Sequence, residues 1–124
     1  MLCSPRKYNR IDGFYVMEQR VPYSYTKYIY IVIEVDGDPI AEYPKYGMDV
    51  EQLLHSLEKS GSYNIMETGR GFSPDKDEIP EPIEVTHHAE HITWRVRKPA
   101  LERLFYFERE AYEGFVIRMR CKYP

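Results

Sequence analysis

Three histidines close together, His87, His88 and His91, form with Glu84 and Glu90 the densest set of possible metal ligands in this chain. On a strand, His87 and His91 share a face; in a tight turn, His88 and His91 converge. A zinc site takes four protein ligands, or three and a water. No second cluster completes such a set, and Cys3 and Cys121 lie far away along the chain. The stretch therefore reads first as a solvated hairpin turn, and neither metal nor cofactor is expected. The triplet Gly69-Arg70-Gly71 is flexible enough to approach a phosphate. It lacks the spacing of a phosphate loop or of a dinucleotide fingerprint, and the acids around it repel anions. No serine stands in a nucleophile-elbow context. The carboxylates Asp75, Asp77 and Glu78 cluster, but such runs are usually solvated. Nothing assembles a catalytic constellation, so the chain reads as a binding protein rather than an enzyme.

The chemistry with most contrast is charge. Residues 67–84, ETGRGFSPDKDEIPEPIE, hold six acids (Glu67, Asp75, Asp77, Glu78, Glu81, Glu84) against Arg70 and Lys76. The stretch sums to −4, while the remaining fourteen acids and fifteen bases sum to +1. Three prolines and two glycines mark it as a long loop. An acidic loop on a small scaffold suits a basic partner. Tyrosine supplies twelve of the eighteen aromatic residues, and it is enriched at interfaces. Tyr28, Tyr30, Tyr43 and Tyr46 are the candidate anchors beside Asp75, Asp77, Glu78, Glu81 and Glu84. The rival surface is basic. From Arg95 onward eight bases face four acids, and Trp94 with Phe105 to Phe107 lies nearby. That pattern could serve a small nucleic-acid-binding regulator, but a net charge of −3 argues against a general nucleic-acid binder.

These residues need a scaffold. At 124 residues the chain fits a single domain, 1–124, and 43% apolar residues exclude a disordered one. Two cysteines near opposite ends read as free thiols of a reducing compartment. No apolar run reaches the length of a membrane span and no secretory leader is visible, so a cytoplasmic protein is expected.

Residues 1–12 read as flexible and 13–18 as a short strand. In residues 27–35, Ile29, Ile31, Ile33 and Val35 alternate onto one face, the pattern of a half-buried strand. Asp36-Gly37-Asp38 reads as a hairpin turn, with 39–43 returning as an edge strand. Val50, Leu53, Leu54 and Leu57 recur at helical spacing, so 50–60 is a helix capped by Asp49, with Gln52 completing a capping box. Residues 62–68 read as one strand. Ile83 to Thr86 and Ile92 to Val96 form a hairpin around His87 to Glu90, and 104–107 a further strand. Residues 109–120 fit a helix with Tyr112, Phe115, Val116 and Met119 on one face, or a strand FVIRMRC after Glu113-Gly114; we read the helix. The fold class is α+β, an antiparallel sheet of five to seven strands packed by one or two amphipathic helices. Its expected core is Ile29, Ile31, Ile33, Leu53, Leu54, Leu57, Ile65, Val85, Ile92, Trp94 and Phe107.

The order of these pieces resembles small bacterial proteins of toxin–immunity loci, the cognate inhibitors of polymorphic and contact-dependent growth-inhibition toxins. The resemblance spans about residues 28–119. It is carried by Glu34-Val35-Asp36-Gly37, the stretch DVEQLLHSL with Asp49-Val50 and Leu53-Leu54, then Ile83 to His87, ITWRV with Trp94, and LFYFEREAY with Phe105, Phe107 and Tyr112. Where those proteins carry a cysteine-rich CxCG-like turn, this chain reads Glu67-Thr68-Gly69-Arg70-Gly71, so no metal is implied there. The resemblance implies an immunity protein whose partner is a toxin C-terminal domain, such as a nuclease, and whose acidic and tyrosine-rich surface occludes the active site.

Overall fold

Isoleucine alternation builds the first sheet. In the computed structural model, which describes residues 7–18, 28–41, 45–68, 73–97 and 102–122, β1 (Ile11–Glu18) pairs antiparallel with β2 (Tyr28–Val35) along its whole length. Ile31, Ile33 and Val35 are buried. The turn Asp36-Gly37 has positive φ at both residues, 54° and 87°, the conformation that suits the twist of a two-residue hairpin. The returning strand β3 is Asp38–Pro39; Ile40 and Ala41 fall outside it, and residues 42–43 of the expected edge strand lie outside the described residues. Residues 7–12, expected to be flexible, are tied down. Asn9 donates to the Asp36 carboxylate, and Arg10 donates its amide to the same group. Asn9 also exchanges bonds with Tyr106, donating its backbone amide and accepting with its side chain. Sequence periodicity misses this because the partners are 27 and 97 residues away. The amide of Arg10 and the side chain of Asn9 hold the Asp36 carboxyl below the usual carboxylate range.

Asp49 caps helix α1 (Val50–His55), its carboxylate accepting from the amides of Glu51 and Gln52. The reciprocal half of the capping box does not form. Gln52 instead accepts from the Asn64 amide at 3.0 Å and ties the helix to the chain beyond it. The helix is also shorter than its apolar stripe, because residues 56–58 continue as turns, with i→i+3 bonds from the amides of Leu57 and Glu58 to the carbonyls of Leu54 and His55. Beyond it, the expected single strand 62–68 divides. Strand β5 (Gly61–Tyr63) pairs with β7 (Ile83–His87), while β6 (Met66–Thr68) pairs with β4 (Tyr46–Met48). The Asp49 amide donates to the Ile65 carbonyl at the break between them.

The remaining strands, β8 (His91–Val96) and β9 (Arg103–Glu108), complete a sheet in the order β5-β7-β8-β9. Among the described residues the strands thus form three small antiparallel sheets, not one. The α+β class stands. The C-terminal segment is a helix, α2 (Arg109–Lys122), with Tyr112, Phe115, Val116 and Met119 all fully buried. It packs on α1, β1, β8 and β9. Gly13 permits its approach, since a Cβ there would sit 3.1 Å from both Met119 Sδ and Phe115 Cε1. The Tyr15 hydroxyl donates to the Met119 carbonyl.

The core centres on an aromatic knot. Trp94 meets Phe107 and Tyr112 edge-on, and Phe107 stacks on Tyr112 with centroids 5.8 Å apart. The Tyr112 hydroxyl bridges Trp94 Nε1 and Ser56 Oγ, so every polar tip in the knot has a partner. Burial pushes the Tyr112 phenol up to about 12. Of the expected core, Leu54 and Leu57 are only partly buried and lie at its margin. The Ile29 side chain lies outside the described residues. Cys121 is an exposed free thiol, and Cys3 lies outside the described residues. No helix among the described residues is long and apolar enough to cross a membrane.

Candidate functional site

The described part of the acidic loop, residues 73–82, is built on one short turn. Lys76–Glu78 is a single 3-10 turn. The Glu78 amide donates to the Asp75 carbonyl, and the Glu78 carboxylate reaches back to accept from the Asp75 amide at 3.0 Å. A second tie comes from below: the Tyr46 hydroxyl donates to the Glu78 carbonyl at 2.7 Å. Pro74, Pro80 and Pro82 restrict the chain on both sides of the turn. Together they form a ridge that exposes Asp75, Lys76 and Asp77, and with them Ile79, whose side chain is 53% exposed. A large aliphatic side chain left in water amid carboxylates is a natural contact for a partner's apolar patch.

The sequence-derived site residues thus separate into roles. Asp75 and Asp77 lie exposed on the ridge, and Glu81 is half-buried beside it. Glu78 belongs to the ridge but spends its carboxylate on its own turn. Glu84 is not part of the ridge. It lies on β7 and faces Arg97 at 3.3 Å and Arg95 at 3.7 Å, with Glu102 completing the group. Tyr46 does not present its ring to a partner: it is 6% exposed and joins the core, because β4 pairs inward with β6. Its contribution is the hydroxyl that holds the ridge. Tyr28 and Tyr30 pair in the ladder with Glu18 and Val16; their side chains, and all of Tyr43, lie outside the described residues. Sequence reasoning passed over Ile79, although an isoleucine between Glu78 and Pro80 in an acid-rich loop has no strand or helix pattern to bury it.

The basic C-terminal stretch does not form one strip. Arg95 and Arg97 face Glu84 and Glu102 on the sheet, Arg118 contacts Asp12 at 3.0 Å, and Arg120 approaches Glu51 at 4.0 Å. Lys98 lies outside the described residues. Each of these arginines sits beside an acid that lowers its pull on a polyanion.

The histidine turn also separates. His87 Nε2 lies 2.7 Å from the Ser56 carbonyl, which can only accept, so Nε2 carries the proton. Nδ1 then accepts from Arg109 at 3.4 Å. Both ring nitrogens are engaged in the fold. His88 and His91 stack with centroids 4.3 Å apart across the hairpin, closed by the bond from the His88 amide to the His91 carbonyl. Arg109, at the start of α2, donates to the carbonyls of His88 and Ala89 and holds the turn. Among the described residues no three His, Cys, Asp or Glu side chains come together as a metal site. No family model, curated protein or solved structure matches this chain.

Proposed function

We propose that this protein works by binding another protein, with the ridge around Asp75, Asp77 and Ile79 as its contact surface. The observation that carries this reading is the ordering of the ridge. A loop rich in acid and proline would lose much conformational entropy on binding, but here a 3-10 turn and the Tyr46 hydroxyl restrain it beforehand. Carboxylates arranged in advance attract a basic surface and speed encounter, while Ile79 supplies desolvated contact area.

The resemblance to immunity proteins narrows the proposal. The partner is a bacterial toxin domain, and a nuclease fits best because its phosphate-binding groove is basic. The ridge enters that groove and excludes the substrate; no chemistry by this chain is required. The test is capture from an extract of the native host with tagged protein, washed at moderate salt, beside the Asp75→Lys/Asp77→Lys variant. One dominant protein retained by the parent and lost by the variant is the expected result. That protein should arrest growth when expressed alone and not when this chain is co-expressed. Equal capture by both forms would remove the ridge from the interface.

A further inference from the structure

The open face of the four-stranded sheet carries a trough that lies apart from the ridge. Register sets its shape. Three strands contribute three rows of outward side chains: Glu84, Arg95 and Leu104 in one, Thr86, Thr93 and Tyr106 in the next, then His88 and His91 at the hairpin end. Rows along a strand lie about 7 Å apart, two residues of rise. The middle row is low where it holds threonines and high where it holds Tyr106. The result is a trough of about 580 Å³, floored by Thr86 and Thr93. Tyr106 and Leu104, the latter 47% exposed, form one side. The stacked histidines close one end, and the Glu84–Arg95 row closes the other.

Each wall restricts what can occupy the trough. Tyr106 and His91, with centroids 6.1 Å apart, and Tyr8, also 6.1 Å from His91, make an aromatic margin suited to a planar ring. The floor is short and hydroxyl-bearing, so a flat ligand can lie on it. At the far end a carboxylate stands beside a guanidinium. Arg95 Nη1 is 3.7 Å from Glu84 Oε2, longer than a hydrogen bond. Glu84 Oε1 lies 3.3 Å from Arg97 Nη2 and Arg95 Nε lies 3.4 Å from Glu102 Oε1, so it is Glu84 Oε2, with two lone pairs, and the Arg95 Nη groups that keep hydrogen-bonding positions for a ligand. Both side chains are more than two-fifths exposed, so a ligand can reach them.

We propose that this trough binds a guanine base. Guanine presents two adjacent N–H donors, at N1 and N2, next to the acceptor O6. The Glu84 carboxylate accepts from the donors, and Arg95 donates to O6. Adenine has no such pair of adjacent donors and leaves the carboxylate unsatisfied. The base lies on the threonine floor against Tyr106, and its sugar points toward His88 and His91. The guanine can belong to a free nucleotide or to a single strand. Because the arginines are not gathered into one strip, recognition rests on the base rather than on a run of phosphates.

The test is titration of the isotope-labelled full chain, followed by amide shifts, with GMP, AMP and short single strands carrying either one guanine or only adenine. Shifts confined to β7, β8 and β9 are expected, with GMP at least about tenfold tighter than AMP, the size of one lost bidentate contact. Glu84→Gln should erase that preference while leaving the rest of the spectrum unchanged. Tyr106→Ala should weaken both purines. A guanine strand that binds more tightly than GMP assigns the base to a nucleic acid; equal affinity assigns it to a free nucleotide. Equal response to GMP and AMP, shifts elsewhere, or no response at millimolar nucleotide would overturn the proposal. The ridge variant Asp75→Lys/Asp77→Lys should leave these titrations unchanged, so the two sites fail separately.

Discussion

The ridge and the sheet face both carry acids, yet they hold them in opposite ways. On the ridge, Asp75 and Asp77 are exposed on a short turn that is local in sequence. On the sheet, Glu84 sits between Arg95 and Arg97, residues brought to it by strand register. Two carboxylates from one stretch of sequence therefore have different electrostatic surroundings. A run of charge in the sequence locates a surface only when the chain folds back on itself there. Where a strand carries the run into a sheet, its cross-strand neighbours decide how much of the charge remains.

The supports beneath the two regions differ as well. The aromatic knot lies under the sheet, while the ridge is held by its own turn and by the Tyr46 hydroxyl. The largest effect is thus expected at Trp94, which packs behind the sheet. Trp94→Ala should cost about 3–5 kcal/mol by denaturant unfolding, as large aromatic truncations in a core do. A smaller loss would mean that the knot repacks and that the sheet face is less rigidly backed than the contacts imply.

Tyr112→Phe keeps the ring and removes the hydroxyl that Trp94 Nε1 and Ser56 share. A loss of about 1–3 kcal/mol is expected, the range for leaving a buried donor unsatisfied. Its pH dependence separates hydroxyl from ring. The folded-state phenol titrates near 12 and the unfolded one near 10, so the folded state holds more protons between those values. That contribution is complete below pH 10 and declines toward pH 12. In unfolding measured across this window, the parent should lose stability more steeply than Tyr112→Phe.

Under the ridge, Tyr46→Phe should cost about 1 kcal/mol, one hydrogen bond with the ring retained. Amide exchange should quicken at residues 75–79 and stay unchanged in β7 and β8. Quickening throughout would show that ridge and sheet open as one unit. The smallest change should be a gain. Gly114 lies inside α2 with open space where a Cβ would go, so Gly114→Ala should stabilise the fold by about 1 kcal/mol and leave both surfaces alone.

Features set by neighbours in sequence are legible from the chain alone. Asp49 as a cap, the hairpin turn at Asp36-Gly37, the burial of Val85, Ile92 and Trp94, and the apolar face of α2, once that segment is read as a helix, all follow from short-range pattern. What failed to show required distant partners. Residues 62–68 look continuous, but Asn64 and Ile65 bond to Gln52 and Asp49 and turn the strand into two. Tyr46 resembled an interface tyrosine because nothing local reveals its pairing with Thr68. Asn9 looked like part of a loose end, since its partners are Asp36 and Tyr106. The acidic ridge was legible as charge, but its turn, its anchor and Ile79 were not.

The measurement that bears most directly on the ridge is the association rate with the captured partner at low and moderate salt. Three forms are compared: the parent, Asp75→Lys/Asp77→Lys, and Glu58→Lys/Glu110→Lys, which makes the same change in net charge at exposed positions in the turn after α1 and in α2. A fall of about tenfold or more at low salt is expected for the ridge variant alone, shrinking as salt rises, because steering by exposed charge is screened. Equal slowing of both variants would show that only net charge matters, and no slowing of the ridge variant would contradict the assignment of Asp75 and Asp77 to the interface.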